Sequence, residues 1–332
     1  MRMRVIRVDP ASPEQSAIEQ AANVLLGGGL VAFPTETVYG LGANALEAAA
    51  VERIYSAKGR PSFNPLIVHV PDEDGARALA AEWPERASQL AETFWPGPLT
   101  MVLPKRAIVP DNVTAGLDSV ALRVPANPIA LSLLRTAAIP LAAPSANRST
   151  ELSPTTARHV ERSLGDRVDL ILDGGSTSVG IESTVIDLRG AQAAILRPGV
   201  IGARELEGLV GPLVSPNELG GAAARLSPGM MERHYAPRAR LVLFDPANVA
   251  HVFEEARRAK SRRVGMLLRI VKPTGEWEDL QMPVDPAGYA HRLYAALHEL
   301  DELGCDVIYV ERPPDASEWA GVQDRLERAS RT

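Results

Sequence analysis

The chain has 332 residues, a formal net charge of -6 at pH 7 and a hydrophobic content of 45%. Its length exceeds that of most single hydrophobic cores, so we expect two domains, and its composition excludes a largely disordered chain. The acidic balance argues against a protein that coats nucleic acid, which needs a strongly basic face. The single cysteine, Cys305, excludes a disulfide framework and a cysteine-based zinc site, and it fits a reducing, cytoplasmic location.

Neither a targeting segment nor a membrane-spanning segment is predicted. Asp9 and Pro10 follow the basic N-terminus before any apolar stretch develops, which argues against a signal peptide. Every apolar run is interrupted by Gly, Pro or a charge well before the roughly 20 residues that span a bilayer. We therefore expect no membrane partner.

Helical and strand patterns alternate along the first part of the chain. Apolar residues recur at helical spacing from Ser12 to Leu26, and Gly59 and Pro61 end a second helix predicted over 46–58. The mixture of short and helix-length connections predicts an α/β fold of the mixed α+β kind, a twisted mixed sheet covered by helices. Further helices are predicted around 84–94, 127–137 and 155–164, and strands at 30–34, 65–70, 99–104, 119–125, 139–145, 170–175 and 183–188.

The composition of the sequence changes between about 201 and 240, and its hydrophobic periodicity is lost. This stretch is rich in Gly, Pro, Ser and Ala without a sustained period, as is typical of a linker. Beyond it, strands at 241–244, 263–270 and 306–311 alternate with helices at 247–260 and 287–303 and a final helix, which predicts a small Rossmann-like parallel-sheet domain. We place the first domain at 1–207, the linker at 208–238 and the C-terminal domain at 239–332.

The segment KGRPSFNPL is the first candidate for ligand binding. Neither GxxxxGK[ST] nor GxGxxG occurs in the chain, so a nucleotide site must be built without those loops. The chain contains few lysines, so Lys58 close to Arg60 is a notable pair. The compact ammonium of a lysine and the planar guanidinium of an arginine together suit a polyphosphate ligand. The alternative is that Lys58 only complements the dipole of the preceding helix, and spacing alone favours that alternative.

Polar clusters follow several predicted strands. Hydroxyl groups in FPTETVYG either bind a ligand or close a turn. Small polar residues in SANRSTELSPT either contact a ribose or phosphate or cap the next helix. Arg123 is either a buried ion-pair partner or a carboxylate clamp, and His69 in an apolar strand is typical of a satisfied core histidine. The other candidates are Thr35, Glu36, Thr37, Tyr39, Ser145, Asn147, Ser149, Ser153, Ser183, Thr184 and Arg197.

The order and the amino-acid sequences of these blocks closely resemble those of one family, the YrdC-type threonylcarbamoyl-AMP synthases in their longer two-domain form. The matching blocks are FPTETVYGLG, KGRPSFNPL, WPGPLT, SANRSTELSPT, DGG with GIESTV, LRPG and SPGMMERHYAP, and they cover nearly the whole chain. The resemblance implies that L-threonine, bicarbonate and ATP are joined into threonylcarbamoyl-AMP and pyrophosphate, with Mg²⁺ accompanying ATP and no organic cofactor. The product would then pass to a separate transferase machinery that modifies tRNA beside the anticodon.

The resemblance also implies a role for individual residues. Lys58 and Arg60 would be catalytic through their charge at the phosphates, no metal ligand is assigned to a side chain, and the linker that carries Tyr235 would act as a lid. Thr150 and Ser119 stand where the family often has Gly and Thr. The threonine-binding residues would be Thr35, His69, Arg123, Ala143 and Ser183, and the ATP-binding residues Lys58, Arg60, Asn64, Ser119, Ser145, Asn147, Ser153, Arg197 and Tyr235.

Two alternatives to this function stay open on the sequence. A carbamoyltransferase of the hydrogenase-maturation type resembles the first domain, but it should carry zinc-binding cysteines and an acylphosphatase region, for which this chain has neither residues nor room. A non-catalytic RNA-binding module is the second alternative, with weak RNA binding at a concave basic surface. The acidic overall charge argues against it.

Overall fold

The computed structural model of the chain describes residues 3–215, 235–258 and 262–331. A mixed ten-stranded sheet forms the centre of the first domain, in the order β1-β8-β2-β3-β7-β4-β6-β5-β9-β10. The mixed sheet predicted from the sequence is thereby confirmed. Its strands are β1 Arg4–Arg7, β2 Val31–Pro34, β3 Tyr39–Asn44, β4 Ile67–His69, β5 Leu99–Pro104, β6 Ser119–Arg123, β7 Leu141–Ala142, β8 Leu170–Asp173, β9 Thr184–Asp187 and β10 Ala194–Arg197.

Helices cover both faces of this sheet. In β2, Val31 and Phe33 point into one apolar cluster with α1 and α6, while Ala32 joins a second cluster beneath α2, α4 and α7 on the opposite face. This alternation is the ordinary period of a strand buried on both sides. The helices are α1 Gln15–Leu26, α2 Ala48–Lys58, α3 Glu73–Arg77, α4 Glu85–Phe94, α5 Asp111–Thr114, α6 Pro128–Ala137, α7 Ala157–Leu164 and α8 Ala203–Val210, with a 3₁₀ turn at Gly165–Arg167.

The helix α8, Ala203–Val210, lies across the expected start of the linker at 208. ARELEGLV lies between glycines, and the sequence interpretation merged it into a stretch without a period. The structure instead buries Leu206 in the core of the first domain, so that domain continues through Val210. Of the predicted linker at 208–238, residues 216–234 lie outside the described part of the chain.

The C-terminal domain is a four-stranded, wholly parallel sheet in the order β11-β14-β12-β13, as the βαβ pattern predicts. Helix α9 covers one face, and α10 and α11 cover the other. Its elements are β11 Arg240–Phe244, α9 Val249–Arg258, β12 Val264–Leu268, β13 Glu278–Gln281, α10 Pro286–Glu302, β14 Val307–Glu311 and α11 Ala320–Ser330, with 3₁₀ turns at Pro246–Asn248 and Ser317–Trp319. No helix in the described ranges combines the length and the apolar character that crossing a membrane requires.

The two domains share one apolar interface. The cluster beneath α10 and α11 also contains Val38, Leu152 and Ile181 of the first domain. Polar contacts frame it: the Nε2–H of His298 donates to the carbonyl of Ser153 at 3.1 Å, because a carbonyl can only accept. The ring of His298 stacks on that of His159 with centroids 3.7 Å apart.

This histidine stack should make stability depend on pH. Burial is the main cause that lowers the pKa of His159 to about 3 and of His298 to about 4, from 6.5. Between those values and 6.5 the unfolded chain binds protons that the folded chain does not, so stability is lost as the pH falls through this interval. Urea unfolding at pH 7, 5.5 and 4.5 should show this decrease. The double variant His159→Gln, His298→Gln should show a shallower slope, and an unchanged slope would contradict the assignment.

Candidate active site

A cleft lies where the ends of β4 and β6 approach the β2–β3 turn and the segment after β7. The side facing the C-terminal domain is formed by Glu182 and Tyr235. The residues that line the cleft are Thr35, Thr37, Val38, Gly40, Arg60, Ile67, His69, Arg123, Ala143, Pro144, Ser145, Glu182, Arg197 and Tyr235. Most of the residues expected to bind threonine and ATP are therefore brought together from widely separated positions.

One part of the cleft is organised by Arg123. This residue ends β6, is buried, and forms an ion pair with Glu36 through Nη2 and Oε1 at 2.5 Å. Its Nε also donates to the carbonyl of Gly97 at 3.2 Å. The structure thus shows the ion-pair alternative directly. It does not remove the carboxylate-clamp alternative, because the remaining guanidinium nitrogen, Nη1, makes no hydrogen bond to the described residues.

Thr35 has a structural task in the same region. Its hydroxyl donates to the carbonyl of Val38 at 2.6 Å and accepts from the amide of Thr37 at 3.2 Å, which closes the turn between β2 and β3. Since its proton is committed to Val38, the hydroxyl of Thr37 must donate to Thr35 across 2.8 Å. The turn-closing role considered from the sequence is present, and it fixes Thr35 at the cleft wall.

His69 is a neutral histidine in the wall of the cleft. It pairs with Arg123 across β4 and β6, and burial, followed by the charge of Arg123, lowers its pKa to about 3. Its Nδ1 is buried without a hydrogen-bond partner among the described residues. A buried, unsatisfied ring nitrogen costs free energy unless a ligand satisfies it, so His69 fits a binding position better than a satisfied core histidine.

Lys58 and Arg60 stand on either side of a left-handed turn. Gly59 ends α2 with φ 59°, a conformation that favours glycine, and the turn directs both flanking side chains inward. Burial is the main cause that lowers the pKa of Lys58 well below its ordinary value, and the neighbouring charge of Arg60 adds to it. Burial likewise lowers the pKa of Arg60 to about 10, so its guanidinium stays charged at neutral pH.

Lys58 holds the loop after β7 in place. Its ammonium donates to the carbonyl of Ser145 at 2.5 Å and to that of Asn147, and its own carbonyl accepts from the amide of Ser149 at 2.9 Å. The side-chain oxygens of Asn147 and Ser149 are buried without a partner among the described residues. Unsatisfied acceptors and donors gathered in one loop are what a polar ligand would satisfy.

Two further contacts complete the nucleotide side of the cleft. Arg60 donates through Nη2 to the side-chain oxygen of Asn64 at 2.6 Å, which orients its guanidinium. Arg197 donates to the carbonyl and the hydroxyl of Ser183, both at 3.1 Å. Asn64 and Ser183 therefore support lining residues rather than lining the cleft themselves.

Ser119 does not line the cleft. It begins β6, opposite Pro104 of β5, whereas Arg123 at the other end of the same strand lines the cleft. The resemblance places Ser119 among the ATP-binding residues, but three strand residues lie between the two ends of β6.

Glu182 is the site residue that the sequence reasoning missed. It lines the cleft, is buried, and its carboxylate accepts from Ser153, from the hydroxyl of Tyr294 at 3.1 Å and from Nε of Arg325 at 2.6 Å. Tyr294 and Arg325 belong to the C-terminal domain. Glu182 lies within the GIESTV block, yet no local pattern could reveal partners more than a hundred positions away.

Comparison with known proteins agrees with the fold. A family model described as Telomere recombination, of the Sua5, YciO and YrdC proteins, matches residues 23–199, and one described as Threonylcarbamoyl-AMP synthase, C-terminal domain, matches residues 201–331. The threonylcarbamoyl-AMP synthase of Pyrococcus abyssi is 42% identical over 96% of this chain and 95% of its own length. That of Bacillus subtilis is 41% identical over 97% and 95%.

Solved structures give the same result. The crystal structure of P. abyssi Sua5 complexed with L-threonine matches with a TM-score of 0.90 at 41% identity, covering 99% of this chain and 98% of the other. The shared fold and the basic, hydroxyl-lined cleft define an enzyme of the nucleotidyltransferase type. The chain belongs to the threonylcarbamoyl-AMP synthase family, whose members serve tRNA modification. The near full-length match to synthases leaves no support for the carbamoyltransferase alternative.

Proposed function

We propose that the protein joins L-threonine, bicarbonate and ATP into threonylcarbamoyl-AMP with release of pyrophosphate. The observation that carries the proposal is that one cleft contains both Arg123, with an uncommitted guanidinium nitrogen for a carboxylate, and the buried cations Arg60 and Arg197 for phosphates. The distribution of charge fits two anionic substrates bound side by side.

The chemistry needs no nucleophilic side chain. The threonine amine adds to bicarbonate with loss of water to give a carbamate, and a carbamate oxygen attacks the α-phosphorus of ATP. The bond from that phosphorus to the bridging oxygen breaks, and pyrophosphate leaves with the electron pair. The protein's task is to orient the two substrates, to neutralise charge and to exclude water, for which Arg, Lys and backbone groups are suited.

Mg²⁺ is proposed to enter with ATP. In the described ranges, no group of three or more His, Cys, Asp or Glu side chains is placed to hold a metal. Phosphate oxygens are the natural ligands of Mg²⁺ when a protein supplies few carboxylates. The buried cations would then share the remaining phosphate charge. As the resemblance implies, the product would pass in the cytoplasm to a transferase that modifies tRNA.

Pyrophosphate release tests the function. The purified chain is incubated with Mg²⁺, labelled ATP, bicarbonate and L-threonine, and pyrophosphate and threonylcarbamoyl-AMP are separated. We expect release that depends on both threonine and bicarbonate. Release without threonine, or none at all together with tight and salt-sensitive RNA binding, would overturn the proposal in favour of an RNA-binding module.

Arg60 provides the first mutational test. Arg60→Ala should weaken ATP binding by about 1.5–3 kcal/mol, because it removes a charge-assisted contact from a buried position. Isothermal titration with ATP measures the effect. The matched control is Arg53→Ala, which removes an arginine paired with Asp169 at the surface of the same domain and should leave ATP binding unchanged. Equal affinity of Arg60→Ala and the parent chain would refute the assignment.

We further propose that the linker segment carrying Tyr235 covers the nucleotide. The space inside the cleft is about 40 Å³, far less than the roughly 300 Å³ of a typical ligand pocket, which supports a rearrangement of one wall when ATP binds. The buried ring of Tyr235 forms part of that wall and comes from the segment between the domains. The C-terminal domain at 239–332 would hold this segment in place.

Tyr235→Ala should therefore lower turnover more than it lowers threonine affinity. The variant removes a side chain that excludes water from the intermediate, while the threonine side around Arg123 is left intact. Steady-state pyrophosphate release and titration with L-threonine separate the two effects. A variant with full turnover would show that the segment is passive.

A further inference from the structure

Arg325 of the C-terminal domain reaches into the catalytic domain. It lies in α11, is only 1% exposed, and donates through Nε to Oε2 of Glu182 at 2.6 Å. Its Nη1 donates to the carbonyl of Pro198 at 2.8 Å, and its guanidinium lies over the ring of Tyr235, 5.2 Å from the centroid. One side chain thus joins three parts of the first domain and linker to the second domain.

Glu182 transmits this contact to the cleft. A carboxylate can only accept, so the hydroxyl of Ser153, which bonds to Oε1, must donate its single proton to Glu182. Tyr294 also donates to this carboxylate. The lone pairs of Ser153 are therefore the only hydrogen-bonding capacity that the hydroxyl can offer to a ligand.

The charge of Glu182 has to be neutralised for an anion to bind next to it. Burial by itself raises the pKa of this carboxyl, but Arg325 and then Arg197 outweigh it and lower the pKa to about 2, so Glu182 is ionised at neutral pH. An ionised carboxylate without Arg325 would repel phosphates and compete with them for Arg197.

We propose that Arg325 is a positioning residue for the nucleotide: it neutralises Glu182 in the wall of the cleft and fixes the Ser153 hydroxyl as an acceptor. This rests on the proposed function, because it takes ATP as the anion. It goes beyond that function by giving the C-terminal domain a direct part in the cleft. Arg325 does not line the cleft, so it acts through Glu182 rather than on the substrate.

The test measures binding of α,β-methylene-ATP, which cannot release pyrophosphate, by calorimetry on the full chain. Arg325→Met should weaken binding by at least about tenfold, since it leaves a buried carboxylate unpaired beside the nucleotide. Threonine affinity should change by less than about twofold, because Arg123 has no hydrogen bond or ion pair with Glu182 among the described residues. Arg325→Lys should recover most of the loss.

The double variant Arg325→Met, Glu182→Gln separates charge from domain docking. Removing the uncompensated charge should restore at least about half of the lost binding free energy, because Glu182→Gln neutralises the carboxylate that Arg325→Met leaves without its ion-pair partner. The matched control is Arg257→Met, which breaks a surface pair with Glu276 in the same domain. It should bind the analogue as the parent does.

Each remaining outcome decides the matter. The role of Arg325 is overturned if the double variant recovers no nucleotide binding, or if Arg325→Met binds the analogue normally. In the second case the proposed function stands as long as the parent chain still releases threonine-dependent pyrophosphate. Failure of the parent chain to bind the analogue and to release pyrophosphate overturns both. A loss of threonine affinity equal to the loss of nucleotide affinity would indicate domain docking alone.

Discussion

Arg123→Met should remove most of the affinity for L-threonine and, with it, the threonine-dependent release of pyrophosphate. Arg123 is buried beside the cleft, and its Nη1 is the cationic donor that the described residues leave for a substrate carboxylate on that side. Losing a buried, hydrogen-bonded charge typically costs about 2–5 kcal/mol of binding free energy. Titration with L-threonine measures the effect directly.

The same substitution leaves Glu36 without its partner, so loss of binding could reflect a damaged fold. Glu36 accepts from Arg123 at 2.5 Å and from the amide of Ala126 at 3.0 Å, and it is buried. The double variant Arg123→Met, Glu36→Gln removes the unpaired charge and should recover thermal stability without recovering threonine binding. Recovery of threonine affinity in this variant would contradict the carboxylate clamp.

A second control uses a partly buried arginine outside the cleft. Arg86 donates to backbone carbonyls of the loop after β9, including that of Leu188 at 2.6 Å, and it does not line the cleft. Arg86→Met should cost some stability but leave threonine affinity as it is. A comparable loss of affinity in Arg86→Met would mean that the assay reports general destabilisation.

Elements with long, regular patterns could be predicted from the sequence. The periodic stretch that ends at Leu26 became α1, and the run before Gly59 became α2, because in each case glycine supplies a clear stop. The βαβ alternation after residue 240 gave the parallel sheet, since parallel strands need helical crossovers. These features depend on residues close together in the chain.

Short or atypical strands could not be predicted. β1 has the exposed pattern of an edge strand in which two of four residues are arginine, and β3 contains two glycines that read as a turn. The structure explains Gly42 of β3: a Cβ there would lie 2.7 Å from the ring of Phe33. β13, with the sequence EDLQ, carries no strand pattern and is paired only because β12 offers it an edge.

The site divides in the same way. The segments that carry Arg60, Arg123 and Arg197 could be identified because each is a distinctive local sequence motif. The structure brings all three arginines to one cleft. Arg325 could not be identified from the sequence, since its role depends on an ion pair with Glu182, a residue 143 positions away in the chain. Its helix has an ordinary amphipathic sequence, in which a buried arginine looks like one more surface charge.

Lys58→Met should abolish measurable ATP binding and lower stability as well. Lys58 is buried and its ammonium donates to the carbonyls of Ser145 and Asn147, so methionine would leave the Asn147 carbonyl unpaired at about 1–3 kcal/mol. The Ser145 carbonyl would keep only the amide of Asn147, at 3.0 Å, as its donor. The loop that carries Ser145 would lose its attachment, and the phosphates would lose a charge. Titration with ATP and urea unfolding measure the two effects.

Lys105 separates the two effects, because its ammonium makes similar contacts to residues that do not line the cleft, whereas Lys58 holds Ser145, which does. Its ammonium donates to the carbonyl of Val109 at 3.3 Å and to Asp111 at 2.5 Å. Lys105→Met should therefore lower the free energy of unfolding without weakening ATP binding. Lys58→Arg should keep part of the affinity for ATP, since it restores the positive charge. It replaces the compact ammonium by a planar guanidinium, which cannot bond both carbonyls in the same way. If Lys58→Met and Lys105→Met lost stability alike and both still bound ATP normally, Lys58 would be a structural lysine that ends a helix, as its spacing alone suggests.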